Sequence, residues 1–378
     1  MLFRAFKRCF SQSILAFQAD VLSLLPSVIF ASSLPMLKEY PILIVLYPIF
    51  LSVRGALGGL LCGKLSTALN VGWVEPRLRG NTSYFWALVA TQAPLSALAA
   101  LIFTLIAVGI GGEFASLLIF TLSLSSLTAL IMPLLISMVA FSTFNAGLNP
   151  DVVLYPITSS TSDLLVTMFF VILASCLITG LLTPLQVLST LLLILVLASI
   201  LKYWHVNAYR STVAEGAASL LLISLIVTLT GIGVRELVDV APRSVIASYA
   251  ALTGLLGDAA GAFGSLITTR LAIGGLEHFK EDADRVVGEV IGIASAYGLM
   301  MSVFAVGGAL AIGANPLPAL LMVSKAATLA ITLGMLASLT IAVVSFNLGL
   351  DPDSYVIPLE SCLSDLITTY SLLLASSL

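Results

Sequence analysis

An all-α polytopic membrane protein, built as two pseudo-symmetric five-helix units in parallel orientation and joined by one linker transmembrane helix, is the fold class this sequence predicts. Three observations carry that expectation. Hydrophobic residues make up 59% of the 378-residue chain and charged residues only 9%, a balance that excludes a water-soluble domain. Apolar runs of bilayer-spanning length recur from end to end. Two distant pairs of segments also repeat at one constant offset of 202 residues.

The apolar runs place eleven spans, near residues 11–34, 40–71, 83–111, 114–144, 152–180, 182–202, 210–234, 243–274, 286–312, 316–345 and 354–377. Several exceed one bilayer crossing and are expected to tilt or kink, with Pro133, Pro156, Pro358 and the glycines between 55 and 63 as the breaks. The spans group into a first unit over 1–180, a linker helix over 181–206 and a second unit over 207–378. The N-terminal MLFRAFKRCF is basic but is not followed by an h-region with a cleavage site, so it reads as a cytosolic flank. The four cysteines, Cys9, Cys62, Cys176 and Cys362, form no CxxC pair and no Cys/His cluster, which argues against a zinc site or a disulfide framework.

Lysine and arginine positions set the orientation. With a cytosolic N-terminus, Arg4, Lys7, Arg8, Lys64, Arg77, Arg79, Lys202, Arg210, Arg270, Lys280 and Arg285 fall inside, against Lys38, Arg235 and Arg243 outside. The expectation is a multi-pass protein of the plasma membrane with its C-terminus outside.

The repeat begins with FNAGLNPDVVLYPITSSTSDLL from Phe144 and FNLGLDPDSYVIPLESCLSDLI from Phe346. Asn145/Asn347, Asp151/Asp353, Pro156/Pro358, Ser159/Ser361, Ser162/Ser364 and Asp163/Asp365 all share the offset of 202, as do Gly55/Gly257 and Gly59/Gly261 in an earlier block opened by Tyr47 and Tyr249. Five spans per unit is an odd number, so direct fusion would invert one half; the span at 182–202 restores parallel orientation.

Asp163 lies roughly 12 residues past the Asn149-Pro150-Asp151 turn, about 16 to 18 Å deep, near the bilayer centre, and Asp365 lies at the same depth. A charged aspartate there costs about 2.5 to 3.5 kcal/mol, and two on facing helices would repel each other. A divalent cation removes both penalties. Thr158, Ser159, Ser162, Glu360, Ser361 and Ser364 add oxygens on the same stripe. The set holds only hard oxygen donors, which favours magnesium over zinc or copper. A lone intramembrane Asp is less often a neutral packing residue than a functional one, and that reading weakens further when the acid is duplicated. Asp20 and Glu215, unmatched between the halves, read as partners of local polar groups. Glu289 and HFKEDADR at 278–285 read as a solvated helix start. Gly55, Gly58, Gly59, Gly63, Gly257, Gly261 and Gly264 have small-xxx-small spacings that suit close helix packing or a pore lining.

These residues carry a resemblance. RGALGGLLCGKLST is similar to the first-half signature of solute carrier family 41, the eukaryotic relatives of the bacterial MgtE magnesium channels, and GLDPDSYVIPLESCLSDLITTYSLLLA to its closing signature. The resemblance covers essentially the whole chain as two MgtE-type units. It implies a central pathway between the halves, lined by the second and fifth helices, with Asp163 and Asp365 holding hydrated Mg2+ and the backbone carbonyls of Ser159 and Ser361 beside them. Where the family has Gly-Asn on the second helix, this chain has Gly55-Ala56 and Gly257-Asp258, so an amide is lost and a carboxylate gained. Asp258 thereby joins the candidate metal ligands. Arg54 either snorkels toward an interface or pairs with Asp258 across the axis. Gly55, Ala56, Gly257, Glu360, Asn145 and Asn347 complete the expected pathway, with Asn149, Asp151, Asp351 and Asp353 at an acidic inner mouth. The regulatory cytosolic domains of bacterial MgtE have no counterpart, so sensing by them is not expected.

The function expected is transport of magnesium as a secondary exchanger coupled to Na+ or H+, with a passive magnesium-selective channel as the alternative. No P-loop or phosphorylation motif supports primary pumping. From a different class, the two aspartates could form an intramembrane aspartyl protease. No nucleic-acid partner is expected, and the duplication suits a monomer in the lipid bilayer.

Overall fold

The structure, a computed structural model, describes residues 2–146, 150–274, 283–348 and 357–377. All regular elements among them are helical. In order they are α1 (Leu2–Phe17), a 3-10 segment (Gln18–Ser23), α2 (Leu24–Leu37), α3 (Ile42–Val71), α4 (Ser83–Ala90), α5 (Gln92–Gly109), α6 (Phe114–Asn145) and α7 (Pro150–Ile178). There follow α8 (Leu182–Tyr203), α9 (Asn207–Val240), α10 (Arg243–Ile246), α11 (Tyr249–Gly274), α12 (Ala283–Ala311), α13 (Pro316–Leu348) and α14 (Ile357–Ser377). An apolar medium dictates this outcome, because every backbone N–H and C=O must be satisfied within the segment.

Among the described residues, 9 helical segments are long and apolar enough to cross a membrane, from Leu2–Leu37 through Pro316–Val344. The chain is therefore a multi-pass integral membrane protein. The two other positions where the sequence predicts spans are occupied by α11, of 26 residues, and α14, of 21. Leucines of the linker helix α8 stand outward, Leu197 at 60% and Leu201 at 76% exposure, as a lipid-facing surface requires.

The helix breaks are not where the prolines and glycines predict them. α6 runs unbroken through Pro133, α7 through Pro156 and α3 through the glycines at 55 to 63, while Pro358 falls in the first turn of α14. Ser137 Oγ donates to the Pro133 carbonyl at 2.6 Å, one turn further along the same helix. The interruptions instead fall at Gln18–Ser23 and at Thr91, between α4 and α5. The first helix also begins at Leu2, well before the expected span at 11–34.

Contacts divide the chain into two compact units, one chiefly Ser33–Gly231, the other Met1–Ser32 with Ile232–Pro352 and Leu359–Leu378. This partition differs from the division along the chain at 180 and 207. In the unit of residues 33–231, Leu61, Leu65, Phe85, Leu88, Ile136 and Phe141 form a buried cluster. Tyr47 and Phe120 pack edge-on against Phe170 at centroid distances of 5.4 and 5.2 Å. The first part of α9 completes this unit: a Cβ on Gly231 would lie 2.5 Å from the Val45 carbonyl oxygen, and one on Gly216 2.7 Å from Leu95.

In the other unit α1 lies along α12, so close that a Cβ on Gly292 would come within 2.9 Å of the Phe6 carbonyl oxygen. Ser27 on α2 then closes the start of α11 from outside that helix. Its Oγ accepts from the backbone N–H of Ala250 at 2.9 Å and of Ala251 at 3.3 Å, two donors left over at a helix N-terminus. Arg243 donates to the Ala31 carbonyl at 3.0 Å, and Ser248 to that of Phe304 at 3.0 Å. Glu289 corrects the expectation of a solvated helix start at its end of that stretch: it is only 6% exposed and accepts from Arg285 at 3.2 Å.

Candidate functional site

The candidate site of the first copy is an antiparallel contact between α3 and α7, both in the unit of residues 33–231. Tyr47, Arg54 and Cys62 lie at intervals of about two helical turns, so α3 presents them on one stripe. They meet α7 in reverse order. Tyr47 Oη and Thr167 Oγ1 are 3.0 Å apart, Arg54 is ion-paired with Asp163, and Cys62 Sγ lies 3.7 Å from Thr158 Oγ1. The Arg54 and Asp163 side chains are only 10% and 15% exposed. Ser162 is buried and donates to the Thr158 carbonyl at 2.5 Å, so the last turn before Asp163 is tied to its own helix.

The second copy builds the same contact between α11 and α14, within its own unit. Tyr249 Oη and Thr369 Oγ1, offset by 202 from Tyr47 and Thr167, are 2.7 Å apart. Thr369 also approaches the Asp365 carbonyl at 2.7 Å. The register is thus common to both copies, but the chemistry along it differs. Leu256 stands where the first copy has Arg54, Gly264 where it has Cys62, and Glu360 where it has Thr158. Glu360 accepts from Ser338 of α13 at 2.8 Å, and Ser338 approaches the Ala260 carbonyl at 2.8 Å. Gly264 allows this convergence, since a Cβ there would sit 2.5 Å from Ser338 Oγ. A Cβ on Gly261, by contrast, would meet no atom within 4 Å. Close packing explains Gly264, while among the described residues nothing crowds a Cβ at Gly261.

Arg54 and Asp258 do not need each other: each is engaged inside its own unit. Arg54 holds Asp163, and the Asp258 carboxyl shares a hydrogen bond with that of Asp20. Asp20 reaches α11 because the 3-10 segment breaks the first membrane helix beside it, and a Cβ on Gly254 would lie 3.5 Å from its Oδ1. The two acids therefore lie side by side within one unit. Glu215 pairs with Lys64 at 2.8 Å, a polar partner close in space but far in sequence.

Other expected residues are placed as follows. Gly55 and Ala56 are buried in α3 and Gly257 is half-buried, with Ser364 3.9 Å from where its Cβ would be. Ser159, Ser361 and Asp365 are half-buried on their helices. Asn145 is exposed at the end of α6 and donates to the Pro76 carbonyl at 3.2 Å. Asn149, Asp351, Asp353 and the side chain of Asp151, expected at the inner mouth, lie outside the described residues, as does the side chain of Asn347. Among the described residues no three His, Cys, Asp or Glu side chains gather into a metal cluster.

Each copy thus holds acids on a matched helix pair inside a chain of membrane-spanning segments. The MgtE family, described as divalent cation transporters, matches the chain twice, over residues 47–173 and 249–375. These stretches cover more than half of the chain, which belongs to that family as a tandem-repeat member. It transports divalent cations and is not an enzyme, so the protease alternative falls. No curated protein and no solved structure matches the chain.

Proposed function

We propose that this chain moves magnesium across the membrane as a secondary, cation-coupled exchanger in which Asp163 and Asp365 supply the carboxylates that meet the ion. The carrying observation is that both aspartates occupy the same position in a helix pair whose register is fixed, in each copy, by the same Tyr–Thr hydrogen bond. The carbonyls of Ser159 and Ser361 would add oxygens without asking magnesium to shed most of its waters. A plasma-membrane location with a cytosolic N-terminus, and action as a monomer whose duplication supplies both halves, complete the proposal.

The coupling half rests on Asp258. A hydrogen-bonded carboxyl pair binds one proton and loses its bond when that proton leaves, which makes H+ the coupling ion favoured over Na+. Purified protein in proteoliposomes, with magnesium, sodium and pH gradients imposed one at a time, tests this. Magnesium flux should follow the pH gradient, and Asp258→Ala should weaken that dependence more than it weakens magnesium affinity. Equal flux with no counter-gradient would replace the exchanger with a channel.

The inner mouth gives a separate expectation. Neutralising Asp151 and Asp353 together should slow magnesium uptake several-fold at low ionic strength and little at high salt, because long-range attraction is screened over about 8 Å at physiological ionic strength. Uptake measured across a salt series decides between this and a purely local turn, for which the loss would not vary with salt.

A further inference from the structure

Resting on the reading of Asp163 as a cation ligand, we propose that Arg54 is a tethered competitor for the transported ion: its guanidinium occupies the first copy's carboxylate until magnesium displaces it.

Four observations converge on Arg54. Its guanidinium contacts the acid that the proposed pathway uses, and both side chains are largely shielded from solvent, at 10% and 15% exposure. The hold is incomplete: Arg54 Nε is buried with no hydrogen-bond partner among the described residues, so the planar fork does not use all its donors there. The contact lies between two others, Tyr47 to Thr167 and Cys62 to Thr158, which keep α3 and α7 in register whichever cation Asp163 holds. Finally, the second copy has Leu256 at the matching position, so only the first copy carries an internal cation there.

The physical consequence follows from charge. An arginine stays protonated under all conditions relevant to a cell, so it cannot leave Asp163 by losing its proton. It can leave only by being outcompeted. A hydrated divalent ion carries twice the charge, and the guanidinium, on its flexible stem, can swing away while both helices stay in place. Removing the competitor should therefore tighten magnesium binding, by a factor equal to the inverse of the fraction of time that Asp163 is unoccupied by Arg54. If that fraction is about one tenth, the gain is about ten-fold.

The test is calorimetric titration of Mg2+ into the purified full chain in detergent. Arg54→Gln should lower the magnesium Kd about ten-fold, Arg54→Lys should stay near wild type, and Asp163→Asn should raise the Kd. On the Asp163→Asn background, Arg54→Gln should add no tightening. If Asp163→Asn leaves the Kd unchanged, Asp163 is not a ligand and the functional reading beneath this inference fails. Where Asp163→Asn weakens binding but Arg54→Gln leaves it equal or weaker, the competitor role alone is overturned. Should Arg54→Gln not fold, the wild-type chain still decides: an arginine-selective dicarbonyl should modify Arg54 faster in saturating Mg2+ than in chelator, and an unchanged rate overturns the proposal.

Discussion

Asp163→Asn and Asp365→Asn should each reduce magnesium flux by about ten-fold or more, and the double substitution should abolish it in protein that still inserts and purifies normally. Asparagine keeps the shape of each side chain and one of its oxygens, so only the charge is removed from the paired helices. A hydrated divalent ion inside an apolar helix bundle depends on that charge, because water is scarce and neutral dipoles compensate poorly. The single variants should also differ. Asp163→Asn leaves the half-buried Arg54 guanidinium without its carboxylate and should melt at a lower temperature than Asp365→Asn, whose matching position is Leu256. Flux in proteoliposomes, normalised to inserted protein, gives the first result, and thermal unfolding in detergent the second. Wild-type flux in the double variant would place the ion path elsewhere.

A large structural effect should come from Gly292→Leu. The Phe6 carbonyl oxygen is 2.9 Å and the Cys9 Cβ 3.1 Å from where a Cβ on Gly292 would be, so any side chain there must push α1 off α12. Backbone cannot yield as a flexible side-chain tip can, and the loss should reach about 3 kcal/mol, the upper end for overpacking. Gly298→Leu on the same helix is the control, because a Cβ there meets nothing within 4 Å. Thermal unfolding should fall sharply for the first and hardly change for the second, while Cys9 should alkylate faster only in the first. Equal melting temperatures for both would mean that α1 is not held by this contact.

Much of the architecture is legible in the sequence because lipid enforces it. Apolar runs must be helices, and a constant offset of 202 between motifs must be a duplication. Tyr47/Tyr249 and Thr167/Thr369 obey that offset as well, and the structure joins each pair by a hydrogen bond. What a sequence does not carry is the relative register of two helices that are distant in the chain. Arg54 has acids at two candidate positions, Asp163 and Asp258, and only the packing of α3 on α7 selects the first. Asp20 was harder still, since its counterpart at offset 202 is the apolar Leu222 and nothing repeats there to mark it. The early start of α1 did leave a trace: Arg4, Lys7 and Arg8 fall on one exposed stripe, as helical spacing requires.

The companionship of α1 with α12 has a consequence for how the protein is made. Residues 2–17 leave the ribosome well before the helix they pack on, which begins at Ala283. At about 5 to 20 residues per second, the amphipathic opening helix waits roughly a quarter of a minute to a minute before its partner exists. Through that interval its apolar stripe has to be sheltered by lipid or by the insertion machinery. Biogenesis of this protein is therefore sensitive to elongation rate, and a nascent chain halted after the first copy carries an opening helix with nowhere to dock, a ready handle for membrane quality control.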